Sequence, residues 1–62
     1  MKEAGTIKLR DSADADEAFA IVRYDEKSVA LCISRKSDGD MEVMMGKADA
    51  CALLDALRKA TE

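Results

Sequence analysis

Apolar and polar positions alternate along the first two thirds of the chain, and the alternation predicts strands. From Thr6 to Arg10, Ile7 and Leu9 point to one side and Thr6, Lys8 and Arg10 to the other, the two-residue period of a half-buried strand. Ala18 to Tyr24 and Val29 to Arg35 read as the second and third strands, separated by the wholly polar Asp25-Glu26-Lys27-Ser28. A two-residue connection at Glu26-Lys27 sets Tyr24 opposite Val29, Val22 opposite Leu31 and Ala20 opposite Ile33, all on one face. Glu-Lys is not favoured in the left-handed positions of a tight hairpin, which leaves the turn type open.

The fourth strand, Met41 to Met45, follows Asp38-Gly39. A two-residue Asp38-Gly39 turn would pair Ser34 with Val43 and Cys32 with Met45, turning Met41, Val43 and Met45 away from Val29, Leu31 and Ile33. A three-residue loop, Ser37-Asp38-Gly39, with the glycine left-handed, pairs Arg35 with Met41, Ile33 with Val43 and Leu31 with Met45. A one-residue slip turns over a whole strand, so the apolar pattern selects the second register.

After Gly46 the period changes. Ala50, Leu53, Leu54, Leu57 and Ala60 follow helical spacing and predict a helix over 47–60 with an apolar stripe. Asp49 in its first turn and Arg58 and Lys59 in its last suit the helix dipole. The segment Asp11 to Glu17 is acidic, lacks large apolar residues and reads as a loop; the alternative is one helical turn within 12–17, capped by Ser12. The expected fold is α+β: a four-stranded antiparallel meander followed by one C-terminal helix packed on one face, in a single domain spanning residues 1–62.

Both faces of such a sheet carry apolar side chains. Tyr24, Val22, Val29, Leu31, Ile33, Met41, Val43 and Met45 share one, with Met41 and Met45 expected as core beneath the helix. Phe19, Ile21, Ala30, Cys32 and Met44 share the other, interrupted by Arg23, Ser34 and Glu42. One helix covers one face, and an uncovered patch of Phe, Ile and Met is a liability in a monomer. The expectation is a homo-oligomer, a dimer above all, meeting through Phe19, Ile21, Cys32 and Met44. The alternative is a monomer whose N-terminal strand and acidic loop fold over that face.

Composition narrows the function. A 62-residue chain with 48% hydrophobic and 37% charged residues is globular in profile but short of core. There is no histidine, and Cys32 and Cys51 lie in apolar stretches that disfavour a thiolate, so both read as core-filling thiols in a reducing compartment. No catalytic set emerges, and the chain is expected not to be an enzyme and to need no cofactor or metal. Asp14, Asp16 and Glu17 lack the glycine and distal glutamate of a calcium loop. Gly46-Lys47 reads as a helix cap rather than an anion site. No apolar run approaches the length of a membrane span and the N-terminus leads into no secretory core, so a cytoplasmic location without membrane contact is expected.

A net charge of −3 gives no long-range attraction for nucleic acid. A local strip remains, because Lys8, Arg10 and Arg23 stand beside Phe19 if they share a face; the simpler reading is an edge strand protected by charge. In element order the chain resembles the single-stranded-DNA-binding domains of a transcriptional coactivator and of the plant Whirly proteins. That likeness covers most of the chain without a sequence motif, and it implies single-stranded nucleic-acid binding along strand-borne basic and aromatic residues. The leading expectation is a small non-catalytic interaction or accessory protein that self-associates and docks another protein.

Overall fold

The computed structural model describes all residues from Met1 to Glu62. Four strands, β1 (Lys2–Arg10), β2 (Glu17–Tyr24), β3 (Ser28–Arg35) and β4 (Gly39–Gly46), form one antiparallel sheet in the order β1-β2-β3-β4, and helix α1 (Lys47–Thr61) follows. This is the meander-then-helix architecture that the periodicity predicts.

The β2–β3 hairpin has the expected register, with Tyr24 opposite Val29, Val22 opposite Leu31 and Ala20 opposite Ile33. Neither Glu26 nor Lys27 adopts a positive φ. Asp25 supplies what the turn lacks: its Oδ1 accepts hydrogen bonds from the Lys27 and Ser28 amides at 2.9 and 2.8 Å. These bonds, Lys27 first, hold the Asp25 carboxyl below its ordinary pKa.

The β3–β4 register differs from the expected one by two residues. Ile33 faces Met41, Leu31 faces Val43 and Val29 faces Met45, and Lys36, Ser37 and Asp38 make the turn. Gly39 is left-handed, with φ 84°, as the glycine's place in the loop requires. A shift of two leaves every side chain on its expected face, so the apolar pattern is blind to it. Strand β1 starts at Lys2 rather than Thr6 and passes a bulge between Glu3 and Gly5. That stretch has no alternation to announce it.

Between β1 and β2 the acidic segment is a loop. It contains a single turn closed by the Ala15 amide on the Asp11 carbonyl at 2.7 Å. Asp11, not Ser12, serves its open end, its Oδ1 accepting from the Ala13 amide, and Ala15 at φ 63° ends the turn.

Helix α1 leaves β4 directly, with Gly46 as its N-cap. It contacts β3 and β4 on the face of Val22, Val29, Leu31 and Met45. A helix is about 10 Å across, whereas eight-residue strands run about 27 Å, so one helix shelters only part of a sheet. Two expectations of burial fail, the first for that reason. Met41, expected as core, is 69% exposed because it lies at the far end of β4 from the helix. Cys51, expected as buried, is exposed because it sits about 100° around the helix from Ala50, off the apolar stripe. Cys32 is half-buried. Only Ala18, Ala20 and Ala30 are buried, and no large side chain is fully enclosed.

Candidate functional site

Two surfaces merit attention, and they are the two faces of one sheet. The helix-bearing face holds Ile7, Leu9, Ala18, Ala20, Val22, Tyr24, Val29, Leu31, Ile33, Met41, Val43 and Met45, as strand alternation and the observed registers place them. Between it and α1 lies an open groove of about 330 Å³. Its ten lining residues are all apolar, among them Ile7 and Leu31 from the sheet and Leu53, Leu54 and Leu57 from the helix. Leu54 is 67% exposed and Leu57 57% exposed, although both belong to the stripe that should meet the sheet. At the top of the face the Lys47 ammonium stands 5.5 Å from the centre of the Tyr24 ring, a cation–π contact that ties the first helical turn to β2.

The lower margin of this face is charged. Arg35, aligned with Ala18 and Gly39, reaches into the acidic loop. Its Nη2 lies 2.8 Å from Asp14 and 3.5 Å from Asp11, and its Nε lies 3.4 Å from Asp16. Asp16 also accepts a 2.7 Å hydrogen bond from the Ser37 hydroxyl. The Ser37 hydroxyl, ahead of Arg35, holds the Asp16 carboxyl below its usual range, and the Asp14 hydrogen bond raises Arg35 further. A guanidinium thus occupies the centre of the acidic cluster and offsets one of its three negative charges.

The opposite face reads differently. Across it run rows such as Lys8, Phe19, Ser34 and Asp40, and Thr6, Ile21, Cys32 and Glu42. Phe19, Ile21, Cys32 and Met44 do share this face, as a narrow strip among polar neighbours. Arg23 on β2 and Glu42 on β4 approach to 3.9 Å, spanning β3. Ala30, aligned directly between Arg23 and Met44, is 2% exposed on a face that no other layer covers. Ser34 donates a 2.6 Å hydrogen bond to Asp40. The N-terminal strand does not fold over this face; it is the sheet's edge, hydrogen-bonded to β2.

Lys8, Arg10 and Arg23 also share the face opposite the helix, with Lys8 directly across from Phe19. Lys8 lies 3.7 Å from Glu17 and Arg23 is engaged by Glu42, so Arg10 alone of the three has no ion-pair partner. The shared face on which that strip is conditional is present, with Arg23 four residues along β2 from Phe19. Sequence reasoning misses the exposed Leu54 and Leu57, whose signal is the mismatch between a fifteen-residue helix and a four-stranded sheet.

The chain is thus an α+β meander with a helix that only partly roofs its apolar face. Comparison with protein-family models, curated proteins and solved structures finds no match. No helix is long and apolar enough to cross a membrane.

Proposed function

We propose that the protein is a non-catalytic interaction module that self-associates through the helix-bearing face. One observation carries this reading. The accessible surface is 4859 Å² for a 6.7 kDa chain, whereas a folded monomer of that mass exposes about 3,900 Å². The excess of about 950 Å² per chain matches the roughly 800 Å² that each partner gives to an interface of standard size. The Cα radius of gyration, 12.5 Å, likewise exceeds the about 10.6 Å of a compact chain this long. Exposed apolar side chains on the helix-bearing face include Leu54, Leu57 and Ile7 at the groove and Met41 and Val43 beyond it, while Met44 and Phe19 are exposed on the opposite face.

The test is a solution mass by light scattering and sedimentation across micromolar concentrations. The expected value is twice the 6.7 kDa chain mass. A single-chain mass at high micromolar concentration overturns the reading. Phe19, Ile21, Cys32 and Met44 form the narrower surface where a protein partner or further copies would dock.

A second reading has its own support. Lys8, Arg10, Arg23 and Phe19 are spread along the face that this association leaves free, with Lys8 across from Phe19, as a strand-borne path for single-stranded nucleic acid needs. Titrating a labelled oligonucleotide at low salt tests it. Binding that weakens with salt and with Lys8→Gln plus Arg10→Gln supports it, and absence of binding removes it.

A further inference from the structure

We infer that the second copy seats by its helix: the two α1 helices lie antiparallel about a two-fold axis at Leu54, and Leu54 and Leu57 of each complete the groove of the other. This rests on the self-association proposed above and goes further, because it names the element that fills the groove.

Four observations converge. First, the groove is lined by apolar side chains alone. Ligand sites combine apolar walls with a few polar groups that fix orientation, and this one offers none. An apolar side chain is its natural occupant. Second, Leu54 is both the midpoint of the fifteen-residue helix and its most exposed large apolar residue. An isologous contact places one residue against itself at the axis, and a helix pair centred on its midpoint overlaps over its whole length.

Third, the flank of α1 around Leu54 is the right one. At about 100° per residue, Lys47, Cys51, Arg58 and Thr61 share that flank with Leu54. Cys51 and Thr61 are compact enough for helices to approach to about 8–10 Å, and Lys47 and Arg58 can lay their aliphatic stems along the contact with their charged ends in water. Fourth, charge selects the direction. Antiparallel alignment sets Lys47 of one helix near Thr61 and Glu62 of the other, whereas parallel alignment sets Lys47 against Lys47 and Arg58 against Arg58. Opposed dipoles favour the same choice.

Disulfide trapping tests the geometry. In a Cys32→Ala, Cys51→Ala background, Leu54→Cys chains should form a covalent dimer under mild oxidation about tenfold faster than Thr61→Cys chains, because the axis holds the new thiols at high effective concentration. A mixture of Lys47→Cys and Thr61→Cys chains, which leaves Leu54 intact, should cross-link between variants in preference to within either. Preferential Thr61–Thr61 linkage, or a doubled solution mass with no linkage in either experiment, overturns the helix pairing while leaving self-association standing. A single-chain mass for the unsubstituted protein defeats self-association itself.

Discussion

The two faces of this sheet are built from the same four strands and finished in different ways. Opposite the helix, small and polar residues alternate with a thin apolar strip. Arg23 and Glu42 reach across β3 toward one another, and Ala30 is enclosed without any covering layer. Under the helix, strand after strand contributes an apolar side chain, yet Met41, Val43, Leu54 and Leu57 remain open. The difference teaches that burial depends on the footprint of the covering element rather than its presence. A face with a helix on it can be the less finished of the two.

The largest effect should come from placing a charge on each face in turn. Leu54→Asp puts a carboxylate at the centre of the proposed contact and should weaken association about 100-fold, equivalent to about 2.7 kcal/mol. Phe19→Asp makes a comparable change on the opposite face and should move the association constant less than about threefold. Sedimentation of both variants decides. Were Phe19→Asp the damaging one, the contact would belong to Phe19, Ile21, Cys32 and Met44.

Next in size is a packing contrast. Ala30, 2% exposed between Arg23 and Met44, leaves no room for a larger side chain, and Ala30→Leu should cost about 1–3 kcal/mol in denaturant unfolding. Val43→Leu, on the open face, should stay within about 0.5 kcal/mol when measured below the association range. Equal costs would mean that the helix-bearing face is already closed in the isolated chain.

These contrasts show what the sequence makes legible. Strand alternation and the helical stripe of Ala50, Leu53, Leu54 and Leu57 predict four strands and one helix in order and group the large apolar residues of β2, β3 and β4 by face. Ile7 and Leu9 await the β1–β2 register. The β2–β3 register follows from the same pattern. The β3–β4 register does not, because a two-residue shift preserves every facing and Gly39 is left-handed in both the expected and the observed turn. The extension of β1 to Lys2 is silent because Lys-Glu-Ala-Gly carries no apolar rhythm. The surplus of apolar surface can be counted from the sequence. Its location cannot, since it depends on how far α1 reaches across the sheet.

A smaller effect concerns the charged margin of the helix-bearing face. Asp16 has its folded pKa lowered below the ordinary value of 3.8, first by the Ser37 hydroxyl and then by Arg35. A lowered carboxyl pKa contributes stability that is fully present above the unfolded value and lost as pH falls through the folded one. Thermal midpoints should therefore hold near neutrality and fall on acidification below about pH 4. Ser37→Ala should flatten that acid limb, with a lower midpoint at neutral pH and a smaller loss in acid. An unchanged acid limb would show that the margin does not hold Asp16 in solution.

The smallest effect sharpens the comparison most. Arg23 and Glu42 are each about half exposed, with side-chain accessibilities of 47% and 46%. An exposed pair at 3.9 Å is worth about 0–1 kcal/mol and weakens with salt. A double-mutant cycle with Arg23→Gln and Glu42→Gln should thus give a coupling below about 0.5 kcal/mol that fades as salt is added. The value bears on which face meets the second copy. If chains met through the face opposite the helix, association would strip water from this pair, and the coupling would rise and lose its salt dependence. A weak, screened coupling measured in the associated protein places that face in water and leaves the helix side as the contact; a strong, unscreened one reverses the assignment of the two faces.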